Sequence, residues 1–350
     1  MAGLVPAISL RVAQHCHMNR GHRVSPLCGG PVMTKKGERA VASQKIAVIG
    51  AGLIGRSWAI VFARAGFDVT IQDNAPGAAD SALALIAEGL AELNRAGLAD
   101  DPKGAAARVR VASGVANAVQ DADFVQENSP ENLDVKRAIF AELDRHAPPD
   151  AILASSTSTI VASLFTENLK GRSRCLVAHP VNPPHLVPIV ELVGAPWTAP
   201  ETIARAKALY EQAGQVPIAV KKEIEGFILN RLQAVLLSEA FRLVADGYVS
   251  PQDLDKTIKD GLGLRWSFMG PFETIELNAP GGIPDYCERY GKSLASLSAS
   301  DPSLYAGESR ARILAQWGGL PRPEDVAARM RWRDQRLAAL QAHKKSQPPV

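Results

Sequence analysis

The chain has 350 residues, 46% of them hydrophobic and 21% charged, with a formal net charge of +3. That length holds two domains of ordinary size, about 100–200 residues each. The small charge, with no Lys/Arg stripe interleaved with aromatics, excludes a nucleic-acid surface. No apolar run reaches the roughly 20 residues needed to cross a bilayer, which excludes a membrane protein.

Residues 1–42 stand apart. From Met1 to Gly37 there is no Asp or Glu, but there are Arg11, Arg20, Arg23, Lys35, Lys36 and three histidines. An acid-free, Arg-bearing N-terminus suits a transit peptide. Yet no amphipathic period runs through it, and Pro6, Pro26, Gly29, Gly30 and Pro31 interrupt it. His15, Cys16, His17, His22 and Cys28 do not keep the spacing of a zinc site. A disordered extension is expected, with Met33 as an alternative start. The four cysteines form no CxxC pair, so a reducing, cytoplasmic setting is expected.

From Gln44 onward strands and helices alternate. Residues 45–49 and 68–72 read as strands, with a helix over 53–65 between them and a second helix over 80–96. Further strand-like runs fall at 109–112, 123–126, 151–154, 175–178 and 189–193. This alternation predicts an α/β fold, with a Rossmann-type, doubly wound, mostly parallel sheet over residues 43–222. Near residue 223 the texture changes. Ile224, Phe227, Ile228, Leu232, Val235, Leu236, Leu243 and Val244 keep helical spacing up to Gly247, a helix stop. Ser250-Pro251 then caps another helix, expected to end at Gly261, and residues 323–345 form a charged helix with Val326, Met330, Leu337 and Leu340 on one side. An all-helical C-terminal domain over 223–345 is therefore expected.

Gly50, Gly52 and Gly55 follow the first strand and open the first helix. In that context the first glycine permits a tight turn, the second lets backbone N–H groups approach a pyrophosphate, and the third lets helix and strand pack closely. Asp73 ends the second strand, 18 residues after Gly55, where a carboxylate accepts from ribose hydroxyls. Asn74 and Ala75 follow it instead of an Arg, which favours NAD over NADP.

Three further segments lie where such a sheet presents ligands: residues 126–132, the hydroxyl-rich run 155–159, and the stretch from His179 to Pro184. Oxidation of an alcohol needs a base of near-neutral pKa, and histidine suits it. Glu191, twelve residues beyond His179, is a carboxylate able to fix its tautomer. Composition and spacing alone leave structural roles open for His179, for the Ser/Thr run and for Asn230.

Six segments resemble the 3-hydroxyacyl-CoA dehydrogenase superfamily and, within it, the lambda-crystallin branch of L-gulonate 3-dehydrogenases. They are GAGLIGRSWAIVFARAGF, PENLDVKRAIFAELD, VAHPVNPPHLVPIVELV, EIEGFILNRLQAVLLSEAFRLV, DGLGLRWSFMGPFETIELNA and RWRDQRLAAL. The resemblance implies His179 as base, Glu191 as its partner, and Ser158 and Asn230 against the reacting oxygen. It implies Leu53, Ile54, Asp73, Glu131, Lys136 and Asn182 with Gly50, Gly52 and Gly55 at the NAD site, and a homodimer built through the helical domain.

The chain also departs from the acyl-CoA members. Pro180 and Val181 stand where those carry aromatics, and Arg265 is added in GLGLRWSFMGP, expected as a loop between helices. A guanidinium there suits a free carboxylate, which a thioester lacks; the other reading is a salt bridge between domains or subunits. The implied substrates are, in order, an L-gulonate-like 3-hydroxy acid, L-carnitine, and a short acyl-CoA. For carnitine, Trp266 or Phe268 would face the trimethylammonium by cation–π contact, or else sit in the core. A non-catalytic NAD-binding structural protein is the reading from a different class.

Overall fold

The computed structural model describes residues 44–267, 269–280, 282–297 and 323–347. The expected extension with its His/Cys group, Phe268, and the side chains of Val326 and Met330 lie outside the described residues.

The strands are β1 (Lys45–Ile49), β2 (Asp68–Gln72), β3 (Val109–Val111), β4 (Phe124–Glu127), β5 (Ile152–Ser155), β6 (Cys175–Pro180), β7 (Ile189–Gly194) and β8 (Val216–Val220). They build one sheet in the order β3-β2-β1-β4-β5-β6-β7-β8. Every neighbouring pair is parallel except β6–β7, which runs antiparallel. Alternate side chains of a strand face opposite ways, and both faces are covered. From β1, Ile46 and Val48 enter one core cluster and Ala47 and Ile49 the other. That is why the strands read as continuous apolar runs.

On the first face lie α1 (Leu53–Arg64), α2 (Ala78–Arg95) and α7 (Pro200–Gln212), closing over an aromatic group of Trp58, Phe62, Phe67, Phe124 and Tyr210. The expected helices at 53–65 and 80–96 end within two residues of α1 and α2. The second face carries α4 (Val115–Val119), α5 (Leu133–His146) and α6 (Ser163–Thr166), while α3 (Pro102–Ala107) joins the first. Strand β8 had no counterpart in the sequence reading, because Pro217 breaks a run whose burial is mostly shallow. An edge strand tolerates both.

Beyond β8 the described residues form helices: α8 (Leu229–Ala245), α9 (Pro251–Lys256), a π-helical turn Thr257–Leu262, α10 (Gly263–Trp266), α11 (Pro271–Leu277), α12 (Gly282–Leu297) and α13 (Pro323–Ser346). Gly247, at φ 79°, stops α8, and the Ser250 hydroxyl caps α9 by accepting from Asp253 N–H at 3.1 Å. Three expectations are corrected. The helix expected from Ile224 begins only at Leu229, because Gly226 and Phe227 take left-handed backbone just before it. Gly261 does not end its helix; it keeps right-handed backbone, so the widened turn carries the chain on into α10. Arg265 therefore sits on a helix, not in a loop. Leu337 and Ala338 of α13 pack on the α1–α2 face.

Candidate active site

The strand order reverses between β1 and β4, so the crevice beyond their C-terminal ends is where a ligand settles in such a sheet. The glycine loop borders it. Gly50 stands at φ 95°, donates its N–H to Gln72 O at 2.7 Å, and would place a Cβ 2.8 Å from Asn128 O. A Cβ on Gly55 would overlap Gly50 O, so glycine alone lets α1 begin this close to β1. At Gly52 a Cβ meets nothing within 4 Å.

No side chain caps α1, and Gly52 and Leu53 are exposed, with Ile54 half-buried. First-turn N–H groups thus face open space with a positive partial charge behind them, an arrangement that suits a pyrophosphate. Asp73 braces the loop: its Oδ2 accepts from Ala51 N–H at 2.7 Å and its Oδ1 from Ala75 N–H at 2.8 Å. A carboxylate has about four acceptor sites, so Asp73 keeps capacity for ribose hydroxyls. The residues present fit a dinucleotide.

The next wall follows β4. Glu127 is buried, and its two oxygens take Lys136 Nζ at 2.9 and 3.0 Å, Ser155 Oγ–H at 2.6 Å, and the Ser129 N–H. Lys136 gives a further bond to Ser129 O at 2.9 Å. Three acceptors occupy the three donors of the ammonium, so Lys136, expected to line the NAD site, braces the loop from beneath. Glu131 organises the hydroxyl-rich run instead. Its Oε1 accepts from Thr157 Oγ1 (2.7 Å), Ser158 N (3.0 Å), Thr159 N (2.9 Å) and Thr159 Oγ1 (3.0 Å). Burial works to raise the Glu131 carboxyl, but those bonds and the charge of Lys136 hold it below the ordinary carboxylate value.

A buried polar chain supports both segments from the core. Tyr210 Oη–H donates to Gln126 Oε1, Gln126 Nε2 to Ser156 Oγ (2.7 Å), and Ser156 Oγ–H to Asn128 Oδ1 (2.7 Å); Trp58 Nε1 also donates to Ser156 Oγ (3.0 Å). Burial pushes the Tyr210 phenol well above its ordinary value, which keeps it a neutral donor.

His179 lies within β6, paired in register with Glu191 on β7. Twelve residues of sequence separation become a direct cross-strand pair. Nδ1 of His179 lies 2.8 Å from Glu191 Oε2, leaving Nε2 as the ring atom available to a substrate. Glu191 Oε1 accepts from Ile228 N–H (2.8 Å) and Leu229 N–H (3.0 Å), at the start of α8. Burial works to raise the Glu191 carboxyl; the bonds from His179, Leu229 and Ile228, with the charge of His179, hold it below the ordinary value. Next along α8, Asn230 Nδ2 donates to Ser158 O at 2.8 Å, with the Ser158 side chain exposed. The structure thus joins His179, Glu191, Asn230 and Ser158 through contiguous bonds. Asn182 lies exposed in the chain just past β6. Glu127, Asn128, Ser156, Thr157 and Phe227 belong to this framework and were given no role by sequence reasoning. Only the polar runs 126–132 and 155–159 pointed toward four of them.

Two family models match the chain: the NAD binding domain of 3-hydroxyacyl-CoA dehydrogenase over residues 45–224 and its C-terminal domain over residues 226–305. The chain belongs to the 3-hydroxyacyl-CoA dehydrogenase family. It is an NAD-dependent oxidoreductase acting on a 3-hydroxy group, with a Rossmann-type domain and a helical C-terminal domain. This dehydrogenase is 41% identical to lambda-crystallin of Oryctolagus cuniculus over 88% of its own length and 98% of that protein. It is 42% identical to an L-carnitine dehydrogenase of Pseudomonas sp over 71% of its length and 77% of that enzyme. Among solved structures it is similar to 5-formyl-3-hydroxy-2-methylpyridine 4-carboxylic acid 5-dehydrogenase, an NAD+-dependent dismutase, with TM-score 0.76 and 29% identity over 87% of this chain and all of that one. No helix among the described residues is long and apolar enough to cross a membrane.

Proposed function

We propose that this dehydrogenase oxidises the C3 hydroxyl of a small free 3-hydroxy acid, of the L-gulonate type, to the 3-keto acid, with His179 as the base. The observation that carries the choice of a free acid is Arg265. It is exposed on α10 with no carboxylate partner among the described residues, which argues against the internal salt bridge and leaves a bidentate donor for substrate. The similarity to lambda-crystallin along nearly its whole length supports the same reading.

NAD+ in the glycine-loop crevice supplies the hydride acceptor. His179 Nε2 takes the hydroxyl proton, and Glu191 holds the ring through Nδ1 and favours the imidazolium that results. The Ser158 hydroxyl and the remaining N–H of Asn230 donate to the oxygen as carbonyl character grows. Leu53, Ile54, Asp73, Glu131 and Asn182 border the cofactor, with Lys136 acting through Glu127.

Trp266, 40% exposed beside Arg265, favours L-carnitine as the second reading. Leu232 and Val235 of α8, 65% and 66% exposed, support a homodimer in which a second copy covers this row. The cysteine usage supports a cytoplasmic setting. The test is the initial rate of NADH formation on L-gulonate, L-carnitine, L-3-hydroxybutyrate and L-3-hydroxybutyryl-CoA, with His179→Ala and Arg265→Ala beside the wild type. Turnover of a free acid, lost in both variants, is expected. Turnover of the CoA ester alone, untouched by Arg265→Ala, overturns the free-acid reading, and NADH binding with no turnover of any compound leaves a non-catalytic NAD-binding protein.

A further inference from the structure

Phe227 is fully buried with φ 51°, left-handed backbone that residues with side chains rarely hold. Gly226 before it is left-handed as well, at φ 73°, so two such steps precede α8. A second glycine would make the same turn without strain. What the strained residue adds is a ring and a direction. The two steps aim the Ile228 and Leu229 N–H groups at Glu191 Oε1, and they seat the Phe227 ring against the His179 imidazole, 5.3 Å between centroids at 49°. Backbone strain of this kind concentrates at working sites.

We propose that Phe227 is a positioning residue for His179, its ring setting the plane of the imidazole while Glu191, pinned by two backbone N–H groups, sets its tilt. The inference rests on the reading of His179 as base. The imidazole turns about its own Cβ–Cγ bond, and a single hydrogen bond from Nδ1 to Glu191 leaves it some swivel about that torsion. The Phe227 face removes the swivel and so fixes where Nε2 points. Proton transfer needs a heavy-atom approach of about 3 Å, and a misplacement of about 1 Å costs on the order of a hundredfold. Both restraints come from the residues that open α8, so the seat of the helical segment and the aim of the base are one arrangement.

The experiment uses the full chain with Phe227→Leu, which keeps apolar bulk without a flat face, and Phe227→Met should the first fail to fold. Substrate is L-gulonate, or whichever acid of the panel turns over fastest. Expected is at least a tenfold fall in kcat, with the KM for NAD+ and the NADH dissociation constant within twofold. The Cε1–H proton resonance of His179, assigned by its loss in His179→Ala, is expected to move once the ring current is removed. An unchanged kcat with an unmoved resonance overturns the proposal. So does a joint fall of kcat, NADH affinity and Tm, which would make Phe227 a packing residue only. His179→Ala separates the readings: if it retains wild-type turnover the base reading fails, whereas loss there with none in Phe227→Leu overturns positioning alone. If no acid of the panel turns over, the His179 resonance decides.

Discussion

His179 and Glu191 face each other across the antiparallel β6–β7 pair, and the same carboxylate that meets the imidazole at 2.8 Å also holds the first N–H groups of α8. One side chain therefore serves the reacting centre and the junction between the sheet and the helices. Each of its oxygens faces donors, so both must be acceptors.

Glu191→Gln breaks that symmetry. With the amide oxygen kept on the N–H groups at the start of α8, its N–H faces His179 Nδ1 and favours the tautomer that puts the hydrogen on Nε2, where it can no longer accept a proton, and the charge that favours the imidazolium is gone. A fall in kcat of about a hundredfold is expected, within the usual range for losing acid–base assistance, with NADH affinity by fluorescence titration within twofold. Unchanged kcat would remove Glu191 from the proton transfer.

The glycine loop separates space for the fold from space for the ligand. Gly55→Ala drives a Cβ into Gly50 O, so a marked loss of Tm and of soluble protein is expected. Gly52→Ala meets nothing in the protein. Its Tm should match the wild type while the NADH dissociation constant rises at least tenfold. Equal NADH affinity in Gly52→Ala would place the pyrophosphate elsewhere.

Lys136→Met leaves Glu127 buried with its cation removed, since their side chains are 1% and 0% exposed. Breaking a buried pair from one side costs about 3–5 kcal/mol, read here from urea unfolding. A loss well under 1 kcal/mol would show that water reaches Glu127.

Acid unfolding tests Glu131 and Glu191, whose carboxyls are both held below the ordinary value. The stability they contribute is complete above the unfolded carboxylate pKa, about 4.3. It is lost as pH falls through their lower folded values. Thermal melts should therefore show no pH dependence from these groups between about pH 5 and 8 and a decline at lower pH that Glu131→Gln makes shallower. Equal acid limbs for wild type and variant would show that Glu131 carries no folding-linked proton.

Much of the sheet was legible because a strand buried on both faces writes itself as a short apolar run. β1 and β2 match their expected bounds residue for residue. β8 was not legible, since Pro217 and shallow burial at an edge erase that signal. In the site, Gly50, Gly55 and Asp73 were readable from spacing, because each answers a local backbone demand. The bonds of Lys136 were not legible, for the opposite reason. Its position in the motif is local, but its ammonium goes to Glu127, which only the packing of α5 beneath β4 brings within reach.

By itself the sequence determined the alternation of strands and helices, the glycine loop with its acidic partner, and the polar runs at the strand ends. All of these are set by periodicities of two and 3.6 residues and by turn chemistry within a few positions. The tertiary structure decided the antiparallel turn of β7 that brings Glu191 to His179. It decided the left-handed steps that delay α8 to Leu229, and the widened turn that carries the chain past Gly261 and leaves Arg265 on a helix. Those outcomes depend on which distant groups meet, and a carboxylate that needs donors on both oxygens finds them only once sheet and helix have docked.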